Sequence, residues 1–364
     1  MHFWHISTEM KLSTYTSAVF LPLFVVFAFF IATPIFNFAY AATALPASSS
    51  SVAIEVIPEV PGPFERATLV LTSYAADLDR SLVVWSVNGK EIQRGIGKKS
   101  FSFILGGVGS VSVVRVDVQT STLGTITNTL TFNPGYVDIL WEAADSYVPP
   151  FYKGKALPSS QANMRLTAVP TMLSANGNLF APESLVYNWK QDFKYSEFYD
   201  QSGFGKQSVT FQKNMLLNGE FIQAEVSSLS GKDGALGEIS VDQYSPRVLL
   251  YRDDPLTGID YAHALSEKFT LDRQEINLVA EPYYFSSRGR EGGLSFAWRL
   301  DGKALPENEG GKSRIVFRQE GGTAGSANLS VETRSLSRIL QFTQTAFSLV
   351  FGGSGSGAMD NFGL

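Results

Sequence analysis

A strand pattern centred on a tryptophan recurs three times along this chain of 364 residues. Its copies read SLVVWSVNGK at residues 81–90, LVYNWKQDFK at 185–194 and LSFAWRLDGK at 294–303. The first and third copies end in Asn-Gly and Asp-Gly, which predict a hairpin turn. Trp85, Trp189 and Trp298 are separated by roughly 100 residues, the length of one β-sandwich domain.

The segments that surround the Trp strands repeat as well. Short runs of alternating apolar and polar residues are punctuated by turn residues, a spacing typical of β-sandwiches. In the second and third repeats, a β run at 209–212 or 314–318 precedes a strand led by Gly219 or Gly325. We therefore predict an all-β fold of three tandem Ig-like β-sandwich domains, at residues 51–134, 135–244 and 245–335.

The three tryptophans have two possible roles, as core residues or as exposed platforms for stacking carbohydrate. Val83, Tyr187 and Phe296 each lie two positions before a Trp. Because alternate residues of a strand share a face, each Trp lies on the same face as another apolar side chain. The pattern favours the core role.

The Trp strand with its W-x-[VL]-[ND]-G-K turn, and the strands led by Gly219 and Gly325, carry a resemblance to known proteins. Over roughly residues 51–335 the chain resembles bacterial extracytoplasmic proteins built from tandem Ig-like or PKD-like sandwiches. Residues 152–157 and 281–286 also resemble an uncharacterised family of such envelope proteins. The resemblance implies a fold and a location, and it implies no activity. The chain lacks the Cys pair and the D-x-G-x-Y corner of antibody-type domains.

An apolar run at residues 18–32 precedes the first repeat, and Ala39-Tyr40-Ala41 matches a signal-peptidase cleavage pattern. Residues 1–41 are therefore predicted to be a signal peptide or an uncleaved membrane anchor, followed by a linker at 42–50. Both alternatives place the body of the chain outside the cytoplasmic membrane. We expect an extracytoplasmic protein, secreted or anchored and facing outward.

After the third repeat, the spacing of apolar residues changes from that of a strand to that of a helix. Apolar residues recur at helical spacing, which predicts an amphipathic helix at residues 336–351; they are Leu336, Ile339, Leu340, Phe347, Val350 and Phe351. This helix would pack on the third domain, or it would use Phe347 and Phe351 to dock onto a partner or a membrane surface. Residues 352–364, GGSGSGAMDNFGL, have the composition of a flexible tail.

Composition excludes several classes of function. The chain has no Cys, which rules out disulfides, thiolate metal sites and a thiol nucleophile. Its net charge is −5 and it has no run rich in Lys and Arg, so nucleic acid is not an expected partner. No cofactor is predicted. The expected partner is an envelope protein or a cell-surface polymer, with membrane contact through the N-terminal segment and the predicted C-terminal helix.

Three carboxylates flank a turn near the predicted boundary between the second and third domains. Asp253, Asp254 and Asp260 could together offer oxygen ligands to Ca²⁺. The D-x-D-x-D-G pattern of a calcium loop is absent, so an ordinary solvated loop is the favoured interpretation.

The sequence offers few candidates for catalytic residues. His263 is the only His after the predicted leader, and no spacing selects a pair among Glu142, Asp145, Glu183 and Glu281. The sequence therefore predicts a non-enzymatic envelope protein with a structural, adhesive or assembly role.

Two alternatives remain open. A carbohydrate-binding accessory module would present exposed, coplanar aromatic rings at Tyr283, Tyr284 and Phe285. A hydrolase with an unrecognised site would gather acidic residues and His263 in one cleft.

Overall fold

A computed structural model describes residues 52–351, except 175, 195, 266–267, 272–274, 307–311 and 320–323. The predicted leader (1–41), linker (42–50) and tail (352–364) lie outside the described residues. Apart from two short 3-10 helices, Pro182–Ser184 and Ser196–Gln201, the regular elements of the described part are strands. In that part no helix combines the length and the apolar character needed to cross a membrane.

The first pair of sheets is built by seven strands: β1 (Ala53–Ile57), β2 (Arg66–Thr72), β3 (Leu82–Val87), β4 (Lys90–Ile96), β5 (Ser100–Ile104), β6 (Ser112–Thr120) and β7 (Gly124–Phe132). One sheet has the order β1-β2-β5 and the other has the order β4-β3-β6-β7. Every pairing in these sheets is antiparallel.

The second pair follows with β8 (Tyr136–Ala143), β9 (Asn163–Thr171), β10 (Val186–Gln191), β11 (Gly203–Phe204), β12 (Ser208–Gln212), β13 (Gly219–Ser227) and β14 (Gly234–Asp242). Its sheets have the orders β12-β9-β8 and β11-β10-β13-β14.

The third pair contains β15 (Arg247–Asp254), β16 (Gly258–Ile259), β17 (Lys268–Thr270), β18 (Glu275–Tyr283), β19 (Leu294–Leu300), β20 (Lys303–Ala304), β21 (Arg314–Arg318), β22 (Gly325–Ser335) and β23 (Phe342–Phe351). Its sheets have the orders β16-β15-β18-β21 and β17-β23-β22-β19-β20. All pairings here are antiparallel except that of β17 with β23, which is parallel.

Each pair of sheets encloses its own cluster of buried apolar side chains, as expected for sandwiches of the immunoglobulin type. Trp85, Trp189 and Trp298 lie within these clusters with at most 1% of their surface exposed. The prediction that they are core residues is confirmed.

The three buried indoles also share a polar contact. Their Nε1 atoms donate hydrogen bonds of 2.9–3.0 Å to main-chain carbonyl oxygens of lysines that follow 13 to 17 positions later, namely Lys98, Lys206 and Lys312. A buried indole N–H needs such an acceptor. This bond therefore fixes the depth and orientation of each tryptophan.

The turns after the Trp strands have the geometry that the sequence predicts. Asn88-Gly89 has φ angles of 50° and 79°, and Asp301-Gly302 has 48° and 78°. A type I′ hairpin requires this left-handed backbone at both central positions, which Asn, Asp and Gly tolerate best.

The predicted helix at 336–351 is wrong, because Phe342–Phe351 forms strand β23. It pairs with β22 along its whole length, from Arg334↔Phe342 to Gly325↔Phe351. Phe347 and Leu349, two positions apart, point into the third core. The helical spacing was misleading because Leu336 and Ile339 lie in the preceding hairpin loop, 73% and 76% exposed.

Candidate functional site

A buried carboxylate joins the second and third pairs of sheets. Glu281, near the end of β18, has no exposed surface. The hydroxyl of Tyr147 donates a 2.7 Å hydrogen bond to its Oε1, and Nε of Arg290 donates one of 2.7 Å to its Oε2. Nη2 of Arg290 also donates to the hydroxyl of Tyr261 at 2.8 Å. A buried charge is tolerated when it is paired and hydrogen-bonded, and here both oxygens are satisfied.

The geometry of this network changes the pKa values of two of its groups. Burial and the hydrogen bond to Glu281 raise the pKa of the Tyr147 hydroxyl. Burial opposes the charge of Arg290, yet the adjacent Glu281 carboxylate raises the pKa of that guanidinium above its usual value. Tyr147 therefore stays a neutral donor, and Arg290 stays a cation, across the physiological range.

Backbone hydrogen bonds run alongside the network. The amide N–H of Tyr147 donates to the carbonyl of Phe285, and the amide N–H of Tyr284 donates to the carbonyl of Tyr147, both at 2.8 Å. Ser146 and Ser286 form an antiparallel bridge beside them. Tyr284 adopts a left-handed φ of 65°, a conformation that is uncommon outside glycine. The chain thus builds a short strand pairing across the junction.

Aromatic rings pack around this pairing. The rings of Phe151 and Tyr261 stack with centroids 3.9 Å apart. Two pairs of hydroxyls are hydrogen-bonded at 2.8 Å, Tyr152 with Tyr284 and Tyr251 with Tyr283. Burial, followed by the bond from its partner Tyr152, raises the pKa of Tyr284 to about 12. We call these six rings, together with Tyr147, Glu281 and Arg290, the junction cluster.

The exposure that the carbohydrate-binding alternative requires of Tyr283, Tyr284 and Phe285 is not observed. These side chains are 4%, 2% and 0% exposed, because residues 147–152 of the second pair cover them. They therefore offer no platform on which a carbohydrate could stack. Phe347 is buried in the third core, and Phe351 is half-buried at the end of β23.

The loop between β22 and β23 also contacts the second pair of sheets. The side chain of Gln341 is fully buried and donates to the carbonyl of Ser160 at 2.7 Å and to Oγ of Ser286 at 2.9 Å. Its Oε1 accepts a 2.7 Å bond from the amide of Ser286. Arg338 in the same loop lies 3.9 Å from the carboxylate of Asp145. These contacts adjoin the Ser146–Ser286 bridge and add to the bonds between the two pairs of sheets.

Sequence reasoning missed Tyr147, Arg290 and Gln341. One signal was available: Glu281 is the only charged residue in the mostly apolar segment INLVAEPY, so it required a buried partner. The identity of that partner was not readable, because Tyr147 is 134 residues away along the chain.

The three candidate calcium ligands have separate partners. Asp253 pairs with Arg314 at 3.2 Å, and Asp254 accepts bonds from N–H groups of its own turn. Asp260 lies 3.0 Å from Nδ1 of His263, a contact that lowers the pKa of its carboxyl. Across the described ranges, no group of three or more His, Asp or Glu side chains is arranged to hold a metal ion.

The acidic residues considered for catalysis are also dispersed. Glu142 pairs with Arg165 at an exposed position, whereas Glu281 is enclosed in the junction cluster. The side chain of His263 is 82% exposed, with Asp260 as its partner. The structure therefore does not gather these acids and His263 in one cleft.

No family model matches this chain, and no curated protein matches it. Among solved structures, the three N-terminal domains of the bacteriophage RB49 outer capsid protein Hoc align over 84% of this chain and 99% of theirs, at 11% identity and a TM-score of 0.23. Sidekick-1 immunoglobulin domains 1–5 align over 84% and 60%, at 11% identity and a TM-score of 0.28. The central fibronectin-III array of RIM-binding protein aligns over 83% and 96%, at 10% identity and a TM-score of 0.26. The sheets and cores of the chain itself define its fold.

Proposed function

We propose that this chain is a non-enzymatic structural protein of the cell envelope that faces outward and acts as a spacer. Its three tandem Ig-like domains cover residues 51–134, 135–244 and 245–351, the last including β23. In this proposal the second and third domains act as one stiff rod. The observation that carries it is the junction cluster, in which Tyr147 of the second domain donates to the buried Glu281 carboxylate of the third, which Arg290 also holds.

The physical argument concerns the cost of opening the junction. Separating the two sandwiches removes Tyr147 from Glu281 and exposes the stacked rings of Phe151 and Tyr261. Losing a hydrogen bond to a charged group costs about 1.5–3 kcal/mol, while Arg290 stays paired with Glu281 inside the third domain. A junction with this penalty transmits bending force instead of acting as a hinge, which is the property that a spacer needs.

The junction between the first and second domains has a lighter set of contacts. The side-chain amide of Asn133 donates to the carbonyl of Leu173 and, at 3.1 Å, to Oδ1 of Asp233. We propose that the rod bends here.

The outward location is supported by the predicted leader at residues 1–41 and by the resemblance to extracytoplasmic sandwich proteins. Membrane contact through the N-terminal segment remains part of the proposal. Contact through a C-terminal amphipathic helix does not, because that segment is β23. The proposed partner is another envelope protein or a cell-surface polymer.

The absence of cysteine makes the location testable. A single Ser102→Cys substitution places a thiol on an exposed position of β5. In intact cells of the source organism, a membrane-impermeant maleimide should label this variant and leave the wild-type chain unlabelled. Labelling that requires cell lysis would contradict the proposed outward location.

A further inference from the structure

The loop between β12 and β13 presents apolar side chains to solvent. Met215, Leu216 and Leu217 are between 40% and 79% exposed. Three consecutive exposed apolar residues are an error in a soluble domain unless they serve a function. The loop, at residues 213–218, lies at the end of the second pair of sheets that faces the third, since the amide of Gln243, just before the third pair, donates to the carbonyl of Asn218.

The base of this loop is anchored inside the second pair of sheets. Nζ of Lys213 donates to Oε2 of Glu220 at 2.8 Å and to the carbonyl of Val241 at 2.7 Å, and both charged side chains are fully buried. The amide of Asn214 donates to Oε1 of the same carboxylate at 2.7 Å. A buried ion pair needs good geometry and such additional hydrogen bonds. The loop therefore presents its three apolar side chains from a fixed backbone.

The loop between β22 and β23, at residues 336–341, presents a second set of apolar side chains together with the first residue of β23. Four of them are between 38% and 76% exposed, namely Leu336, Ile339, Leu340 and Phe342. This loop is also fixed, because the amide of Leu336 donates to the carbonyl of Gly293 at 2.9 Å and the side chain of Gln341 is fully buried.

The two loops are held together by one residue of the second pair of sheets. Oγ of Ser160 donates to the carbonyl of Met215 at 3.0 Å, and the carbonyl of Ser160 accepts a 2.7 Å bond from the side chain of Gln341. Both loops therefore meet beside Ser160, and their apolar side chains belong to one surface. We call these seven side chains the junction patch: Met215, Leu216, Leu217, Leu336, Ile339, Leu340 and Phe342.

The junction patch is larger than the apolar surface that a monomer normally exposes. At their observed exposures, the seven side chains present roughly 700 Å² of apolar surface, whereas the largest patch on a typical monomer has about 300–600 Å². Larger patches mark contacts with proteins or membranes. The area is also close to the roughly 800 Å² that each partner contributes to a specific protein interface.

The charges beside the patch favour a protein over a lipid surface. Lys213, Arg334 and Arg338 are each paired with a carboxylate of this chain. Surfaces that lie on membranes combine apolar side chains with Lys and Arg that attract anionic lipid. Because these three cations are already compensated, the apolar side chains are the main feature that a partner could recognise.

We propose that the junction patch is the interface of a twofold dimer of this chain, in which the patch of one copy covers the same patch of a second copy. An apolar patch is complementary to itself, and a twofold contact uses the same surface on both copies. Covering both patches removes roughly 1,400 Å² from water, within the about 1,200–2,000 Å² of specific interfaces. The contact closes on itself, so association stops at two copies. This assembly does not depend on the spacer role.

Sedimentation of the full chain over a range of concentrations tests the dimer. Leu216→Asp in the first loop and Ile339→Asp in the second should each raise the dissociation constant at least about 30-fold, because a twofold dimer buries the new charge twice. Both variants should keep the wild-type circular dichroism spectrum, since the replaced side chains are exposed. The matched control is Leu256→Asp, at a 95% exposed position in the turn between β15 and β16, and it should dimerise like the wild type. A monomeric wild-type chain, or equal dimerisation of all variants, would overturn the proposal.

Crosslinking supplies a measurement that does not depend on a disruptive charge. The full chain contains no cysteine, so a single introduced thiol can react only with the same thiol of another copy. A short bismaleimide should join Ile339→Cys into a covalent dimer and leave Leu256→Cys largely monomeric. Equal yields from the two variants would contradict the assigned interface.

Vesicles of phosphatidylethanolamine and phosphatidylglycerol distinguish a lipid surface from a second copy. The proposal predicts that Leu216→Asp co-sediments with these vesicles to the same extent as the wild-type chain. A wild-type chain that is monomeric in solution, and that loses vesicle binding on Leu216→Asp, would assign the junction patch to a lipid surface and overturn the dimer.

Discussion

The hydroxyl oxygen of Tyr147 lies 2.7 Å from Oε1 of Glu281, and this hydrogen bond joins the second pair of sheets to the third. Arg290 holds the other oxygen of the same carboxylate. The side chain of Glu281 is fully buried, so each partner is needed to offset the loss of water around the charge. Mutations at these three positions should therefore behave differently from mutations at exposed pairs.

Replacing Tyr147 with Phe keeps the ring and removes the donor to Glu281. A hydrogen bond to a charged group contributes about 1.5–3 kcal/mol, so the free energy of unfolding should fall by this amount. Chemical denaturation of the full chain measures the change. Tyr74→Phe is the control, since Tyr74 is fully exposed and its replacement should change stability little. Equal effects from both variants would show that the bond from Tyr147 is not stabilising.

Replacing Arg290 with Met leaves Glu281 buried without its cation. We expect a loss of roughly 3–5 kcal/mol, and we expect most of it to be recovered when Glu281→Leu is added. Arg318→Ala provides the comparison, because Arg318 and Glu275 form an exposed ion pair worth about 0–1 kcal/mol. A single variant no less stable than Arg318→Ala would contradict the assigned role of Arg290.

The raised pKa of Tyr284 in the junction cluster predicts that the protein loses stability in alkali. Burial raises the pKa of Tyr284 to about 12, whereas an unfolded tyrosine titrates near about 10. The contribution of Tyr284 to the free energy of unfolding is complete below the pKa of the unfolded tyrosine, because the folded and unfolded states are then both protonated. It is lost as the pH rises from about 10 to about 12, since only the unfolded state releases its proton in that window.

Thermal unfolding between pH 8 and pH 12, roughly bracketing the free tyrosine pKa, measures this effect. Tyr284→Phe should reduce the slope of melting temperature against pH above about 10, since it removes one of the groups that titrate. An unchanged slope would indicate that Tyr284 is not the group responsible.

The reassignment of the C-terminal segment can be tested by truncation. A chain that ends at residue 351 keeps β23 and should unfold at the wild-type temperature. A chain that ends at residue 341 loses β23, including the buried Phe347 and Leu349, and should lose the cooperative unfolding of the third pair of sheets. Indistinguishable melting curves for the two truncations would support a dispensable helix instead.

The sequence predicts the local part of this fold well. The Trp strands, the I′ turns at Asn88-Gly89 and Asp301-Gly302, and the Gly-led strands β13 and β22 are determined by period, turn chemistry and burial. These signals are contained within about ten residues, so no distant partner is needed to recognise them.

The failed predictions depend on contacts that are distant in sequence. Residues 336–351 are compatible with both a helical and a strand period, and pairing with β22 decides between them. Tyr283 and Phe285 look like exposed aromatic residues until residues 147–152 are placed over them. The junction cluster is therefore visible only in the assembled chain, because the residues that it joins belong to different sandwiches.

A distance measurement tests most directly whether the second and third sandwiches form one rod. Spin labels at the exposed positions Ser240→Cys and Gln344→Cys report on the junction between the second and third sandwiches. Labels at Ser102→Cys and Ser240→Cys report on the junction between the first and second sandwiches. Double electron–electron resonance should give a narrow distribution for the first pair and a broader one for the second, and Tyr147→Phe/Arg290→Met should broaden the first. A broad distribution across the intact second–third junction would contradict the account.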